Sequence, residues 1–201
     1  NSKLAIVAAL VLVAASLPAA AQDLPSRDRV VRSVSFRGNR AIDDYTLRTS
    51  IATSQSSWQQ RSAILRWMGG EKRYFGETEF RRDVLRLTLL YRQSGFFEST
   101  IDTVVERGPA DVRVEFLITE GQAVRVAGVG VSGTDHIIPS SELLLDLPLR
   151  EGDPFSRYRL QASIDSIRSA LQNRGYPWAD VFRNDDENRV RHEARVWFAV
   201  D

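Results

Sequence analysis

The sequence predicts an α+β protein of two tandem β-α-α-β-β modules behind a signal peptide. Each module is expected to be a three-stranded mixed sheet with two helices on one face. Three observations carry this expectation. First, the chain repeats itself. Val31, Val34, Phe36, Gly38 and Ile42 recur at one constant offset as Val126, Val129, Val131, Gly133 and Ile137. Phe75, Phe80, Val84, Leu87, Tyr91, Gly95 and Phe96 recur, at a second constant offset, as Phe155, Leu160, Ile164, Ile167, Leu171, Gly175 and Tyr176. Val114, Phe116 and Ile118 recur in the same way as Val196, Phe198 and Val200. The shared positions are apolar residues and glycines, which set a fold, and arrays of small modules usually bind rather than catalyse. Second, the apolar residues alternate in some stretches and follow a 3.6-residue period in others. Third, the chain opens on an uncharged apolar run, Leu4 to Leu17.

That run, with Lys3 before it and Ala19-Ala20-Ala21 after it, reads as a secretory signal peptide over residues 1–21, cleaved between Ala21 and Gln22. The alternative is a membrane anchor, but 14 residues fall short of the about 20 that span a bilayer. Residues 22–29 read as a linker. Lys3 is the only charge before Gln22, so the remainder balances 26 basic against 26 acidic residues and offers no electrostatic reason to expect nucleic acid. With no cysteine, neither module can rest on a disulfide or a thiolate metal site, so apolar packing must hold each one.

The first module is expected over residues 30–121. Val30 to Phe36 reads as a strand, with Val34 and Phe36 on one face and Ser33 and Ser35 on the other. Gly38-Asn39 ends it, since both residues tolerate positive φ. Asp43 or Asp44 should cap a short helix carrying Leu47 and Ile51. Thr78 should cap a longer helix reaching about Ser94, with Phe80, Val84, Leu87 and Tyr91 in one stripe and Gly95 at its exit. Ile101 to Val105 and Val112 to Thr119 read as a hairpin around the Gly108-Pro109 turn.

The second module, residues 122–201, repeats the order. Val124 to Val131 is a strand, and Ser140 or Ser141 should cap a short helix carrying Leu144 and Leu145. Ser156 should cap a helix from about Tyr158 to Asn173. Trp178 to Phe182 and Ala194 to Val200 should be the closing strands, with Asn184 to Asn188 a polar turn between them. The copies differ in one place. Gly38 to Phe75 spans 37 positions and Gly133 to Phe155 only 22, which places about 15 extra residues near 54–72 of the first module.

The motif Val34-x-Phe36-x-Gly38-Asn39-x-x-Ile42, the helix ending Leu90-Tyr91-x-x-x-Gly95-Phe96 and the exit Ile118-Thr119-Glu120-Gly121 resemble the POTRA domain. So do their counterparts from Val129 to Ile137 and from Leu171 to Tyr176. Tandem copies behind a signal peptide are similar to the periplasmic arm of the outer-membrane β-barrel assembly proteins, of BamA-like or TamA-like type. The resemblance implies unfolded outer-membrane proteins as clients and accessory assembly lipoproteins as partners. It implies residence at the periplasmic face of a Gram-negative-type outer membrane, attachment through a C-terminal barrel absent from this chain, and no cofactor. The chain begins at Asn1 and stops at Asp201, where the first copy continues into Glu120-Gly121, so an N-terminal fragment of a longer protein is expected. Two other readings stay open: the POTRA region of a two-partner secretion transporter, and a scaffold that binds accessory proteins and never touches clients.

A three-stranded sheet has two edges that offer unpaired N–H and C=O groups to an extended chain, nearly regardless of its side chains. If the last strand of each module is central, Ser99 to Glu106 and Trp178 to Arg183 are edges. Thr100, Asp102, Val104, Trp178, Asp180 and Phe182 are then the candidate client contacts, with grooves near Phe96-Phe97 and Tyr176 for alternate side chains. In the insert, Trp58, Leu65, Trp67 and Met68 form a candidate contact with a partner or the membrane surface. Catalysis is not expected. His136 and His192 are the only histidines, both read as solvated, and no Gly-x-Ser-x-Gly, Walker or His-Glu-x-x-His motif is present. Asp185-Asp186-Glu187 lacks the ligand spacing of a calcium loop. Amino-terminal sequencing of the exported protein should return Gln22, and a mature chain still carrying residues 1–21 would restore the anchor reading.

Overall fold

The computed structural model describes residues 29–54, 74–134 and 136–201. The signal segment with Ala21 and Gln22, and the insert residues Trp58, Leu65, Trp67 and Met68, lie outside the described residues. In the first module the order is β1 (Val30–Arg37), α1 (Asp44–Ser50), α2 (Glu77–Gln93), β2 (Thr100–Arg107) and β3 (Asp111–Thr119). In the second it is β4 (Arg125–Ser132), α3 (Ser140–Leu145), α4 (Arg157–Gln172), β5 (Val181–Asn188) and β6 (Glu193–Val200). Each module is α+β and carries its own three-stranded mixed sheet, ordered β1-β3-β2 and β4-β6-β5.

Alternation decides the centre of each sheet. Val112, Val114, Phe116 and Ile118 of β3 all point under the helices and are buried, as are Ala194, Val196 and Phe198 of β6. The opening strand pairs with this central strand in parallel, and the hairpin strand pairs with it antiparallel. Parallel pairing requires a crossover, which the two helices supply on one face of the sheet. Phe80, Leu87 and Tyr91 of α2 close the first core, and Leu160, Ile164, Ile167 and Leu171 of α4 close the second.

Each opening strand carries one irregularity that the residue pattern hides. The parallel ladder slips between Val31 and Ser33, and again between Val126 and Gly128. A bulge at Arg32 or Ala127 resets the pleat, so Val31 and Val34, three positions apart, both face inward.

Several element ends differ from the sequence expectation. Asp43 does cap α1, accepting from the Thr46 N–H at 2.9 Å and its hydroxyl at 2.8 Å, and these bonds hold its carboxyl below the ordinary 3.8. The N-cap of α2 is Gly76, not Thr78, and Pro139 rather than a serine precedes α3, whose buried face is Leu143 and not Leu145. Ser156 caps α4 through a 3.4 Å bond from the Arg159 N–H. The last hairpin differs most. Asn184 to Asn188, which read as a turn, belong to β5, and the chain reverses at Arg189 to His192. His192 is half-buried and holds φ at 53°, and its carbonyl accepts from Arg125 N–H at 2.8 Å. An edge strand contributes little to the core, so its composition need not be apolar.

Gly38 and Gly133 sit just after the opening strands at φ 86° and 85°. A Cβ at either would run into a carbonyl of the central strand, Ile118 O or Val200 O. Gly152 has the same φ of 85° with nothing within 4 Å of a Cβ, which separates dihedral cost from collision. Gly152→Ala should cost roughly 1 kcal/mol for φ alone. Gly38→Ala or Gly133→Ala should cost about 2–4 kcal/mol once the collision is added. Urea unfolding of the three variants measures the gap, and equal losses would contradict the close approach.

Candidate functional site

No deep cleft lined by convergent chemistry exists among the described residues. The features with functional potential are the strand edges and the junction between modules. On the β1 side the edge is partly shut. The segment before α2 returns along it, bridging Tyr74 to Val30, with Phe75 N–H donating to Arg29 O at 2.8 Å. The β4 edge is shut more fully, by Val126 N–H to Asp153 O at 2.9 Å, Gly152 N–H to Val126 O at 2.8 Å and Phe155 N–H to Val124 O at 2.8 Å. The outer rows of β2 and β5 pair with no strand among the described residues. Each opening strand is therefore bridged at its start by its own chain, while the opposite edge strand, β2 or β5, carries no such bridge among the described residues.

The phase of the hairpin ladder decides which backbone groups that edge offers. Gly108 N–H donates to Asp111 O at 2.8 Å, so Gly108 and Asp111 form a hydrogen-bonded pair. The register from Thr100–Thr119 to Arg107–Val112 has no slip, and hydrogen-bonded pairs alternate along an antiparallel ladder. Thr100, Asp102 and Val104 therefore turn their N–H and C=O groups inward to β3. Their side chains stand on the sheet face away from the helices, opposite Thr119, Leu117 and Glu115. The outward-facing backbone belongs instead to Ile101, Thr103, Val105 and Arg107. In the second module the reciprocal 3.1 Å bonds between Asp180 and Asp201 set the same phase. Phe182 and Asp180 bond inward, and Val181, Arg183, Asp185 and Glu187 face out. Trp178 lies in the turn before β5, not on the edge, and is 92% exposed.

The grooves expected beside the edges are mostly occupied. Phe96 is buried, with its ring set edge-on to Tyr91 at 6.0 Å. Phe97 packs against the core of the second module, and the Arg189 guanidinium lies 4.8 Å above its ring. Only Tyr176 stays largely exposed. The junction itself is close-fitted. Val124 N–H donates to Gly95 O at 2.9 Å, and Tyr158 Oη meets Gln93 Oε1 at 2.6 Å. Gly95 holds φ at 95°, where a Cβ would sit 2.9 Å from Phe155 N. The corresponding Gly175 has nothing within 4 Å.

Two polar locks were not legible in the sequence. Asp83 is fully buried in the middle of the apolar stripe of α2. It accepts from Ala52 N–H at 2.8 Å and Thr53 N–H at 2.7 Å, and pairs with Arg86 at 2.5 Å. Ser163, its counterpart in the second copy, does the same work by accepting from Leu149 N–H at 3.1 Å. The repeat offset was the available signal, since both positions interrupt an apolar stripe. The second lock is Glu120, whose Oε1 accepts from Arg40 N–H at 2.7 Å, Ala41 N–H at 2.8 Å and the Tyr91 hydroxyl at 3.2 Å. It thereby ties the loop after β1 to α2.

No group of three or more His, Cys, Asp or Glu could hold a metal ion among the described residues. Asp185 pairs with Arg183 at 3.5 Å, while Glu77 and Glu79 pair with arginines of α2. No helix of the described residues is long and apolar enough to cross a membrane.

These observations define a class: a serial array of β-α-α-β-β modules, each with a three-stranded mixed sheet whose hairpin strand has no outer partner among the described residues. The chain belongs to the POTRA family, described as "Surface antigen variable number repeat", which matches residues 30–121 and 124–200. It is 23% identical over 154 residues to the outer membrane protein assembly factor BamA of Neisseria meningitidis serogroup B, a match covering 75% of this chain and 18% of that protein. The chain thus spans about a fifth of the length of that relative. Among solved structures it is similar to Haemophilus influenzae BamA POTRA3-5 at 21% identity and a TM-score of 0.44, covering 89% of this chain and 69% of that one. It is also similar to CdiB from Escherichia coli at 14% identity and a TM-score of 0.36, covering 92% and 29%.

Burial, then the Glu120 carboxylate, push the Tyr91 hydroxyl above its ordinary 10.0. A raised folded value means that the stability Tyr91 contributes is complete below pH 10 and is lost as pH rises above it. Tyr91→Phe should cost about 1 kcal/mol at pH 7, for the lost hydrogen bond. That gap should narrow above pH 10 in chemical unfolding, and a constant gap would show that Tyr91 ionises alike in both states.

Proposed function

We propose that this chain is the periplasmic arm of an outer-membrane protein assembly or insertion factor, and that it receives unfolded β-barrel clients by adding their strands to a sheet edge. On this reading residues 1–21 direct export, residues 30–121 and 122–201 are the two docking modules, and a C-terminal barrel carries the arm at the outer membrane. Accessory assembly lipoproteins bind the same arm, and no step requires catalysis or a cofactor. The family match and the name of the Neisseria relative support the setting.

The observation that carries the client reading is the asymmetry of each sheet, its opening strand bridged at one end by its own chain and its hairpin strand left without a partner on its outer row among the described residues. Of the two open edges, β2 is the better acceptor. Arg183, Asp185 and Glu187 on the outward row of β5 are charged, and charges blunt an edge against pairing. The outward row of β2 is Ile101, Thr103, Val105 and Arg107, mostly β-branched and suited to an added strand.

The ladder phase supplies a clean test. Thr103 N–H points outward, so Thr103→Pro removes an edge donor and leaves the β2–β3 ladder intact. Val104→Pro instead breaks that ladder and should lower stability. In NMR titrations a peptide of alternating apolar residues should bind weakly, in the millimolar to high-micromolar range, with shifts along β2. Thr103→Pro should weaken it about fivefold or more at unchanged stability. Undiminished peptide shifts in that variant would overturn edge pairing.

A further inference from the structure

The long helix of the first module carries an apolar stripe that its own core does not use. The inward face of α2 is Phe80, Asp83, Leu87 and Tyr91. On the outward face Leu85 is 69% exposed and Leu89 is 55% exposed, one helical turn apart, with Arg92 continuing the line. The second module shows what an ordinary outward face looks like in this fold. At the corresponding positions of the repeat it has Asp165, Ser169 and Gln172. The leucines are therefore not demanded by the fold.

The stripe runs into the junction between the modules. Leu89, Arg92, Gln93 and Phe97 of the first module meet Arg157 and Arg189 of the second around a cleft of about 380 Å³. Three guanidiniums and no carboxylate line it. Glu187 lies behind, 3.8 Å from Arg157 and 3.5 Å from Arg189, so one carboxylate is shared by two of the three guanidiniums. The floor is apolar: Phe97, with Arg189 stacked over it at 4.8 Å.

We propose that this surface docks an acidic amphipathic helix of a partner protein. Apolar side chains of the incoming helix pack against Leu85 and Leu89, ridge into groove. A carboxylate enters the cleft toward Arg92, Arg157 and Arg189, where guanidinium pairing is strongest. The charge excess selects an acidic segment over a basic one. The concavity selects a protein segment over a bilayer, since a flat lipid surface cannot follow the leucines down to Phe97. Because Arg157 and Arg189 come from the second module and the leucines from the first, occupancy depends on the two modules being held as seen here. The inference rests on the reading of the array as a docking arm, and gives one accessory partner a chemistry and a place distinct from the β2 edge.

The test uses the full chain, isotope-labelled, and a synthetic helical peptide with leucines at i, i+4 and i+7 flanked by glutamates. Shifts are expected at Leu85, Leu89, Phe97, Arg157 and Arg189, and none along β2. Replacing Leu85→Asp and Leu89→Ser together installs the second module's residues. That double variant should keep its Tm and raise the peptide Kd at least about tenfold. A peptide with lysines in place of the glutamates should not bind, and Thr103→Pro should leave binding unchanged, so failure of this site and failure of the strand edge are separable. The proposal is overturned by any of four results. These are no shifts at the stripe, equal binding by the double variant, binding of phosphatidylglycerol vesicles through the same residues, or peptide binding that appears only after residues 55–73 are deleted. The last would mean that the chain covers the stripe itself.

Discussion

Each module depends on one long-range parallel ladder, the pairing of its opening strand with its last strand. Val34 is joined to Val114 and Val129 to Val196, so most of each module lies between the two partners. Closing so long a loop is favourable only because both strands bury apolar rows beneath the crossover helices. Once the ladder forms, the rest is constrained. The last strand becomes central, the hairpin strand is pushed to an edge, and both helices must lie on one face. Gly38 and Gly133 let the chain leave the ladder against a carbonyl of the central strand, a contact no side chain would fit. Glu120 then fastens the exit from the first ladder to Tyr91.

The same frame is finished differently in the two copies. On the sheet face away from the helices, the first module sets Arg37 against Glu115 at 2.7 Å and Arg113 against Glu106 at 3.3 Å. The second instead lays Trp197 over Gly130, where a Cβ would approach the ring to 2.8 Å. The loop after the short helix is tied by a buried carboxylate in one copy and a buried hydroxyl in the other. The helix surface at the junction is leucine in one and polar in the other. Apolar fold-setting positions are held in common, and the differences lie both on the surface and at one buried polar position, Asp83 in the first copy and Ser163 in the second.

The sequence made the frame legible because burial leaves a period. Strands with one face under helices alternate, helices over a sheet show a stripe, and glycines mark positive φ. Features without a burial signature were not legible. The bulges at Arg32 and Ala127 were recorded only as a widened gap between valines. β5 is wetted along most of its length, so Asn184 to Asn188 looked like a turn and the aromatic Trp178 like a strand. The ladder phase that reassigns the edge from Thr100, Asp102 and Val104 to their neighbours depends on how the hairpin closes. A two-residue Pro109-Ala110 turn would have given that phase, had its closing pair been known. Asp83 in an apolar stripe had no local sign of its partners, because Ala52 and Thr53 lie on the far side of the insert.

The central claim is that the parallel ladder leaves one strand of each sheet with an unpaired outer row of known identity. Residue-resolved amide hydrogen exchange tests it most directly. Within β2, the amides of Ile101, Thr103 and Val105 should exchange rapidly, while those of Asp102, Val104 and Glu106 are protected by the central strand. Uniform protection along β2, or the opposite alternation, would contradict the account of the edge and with it the reading of how this array receives another chain.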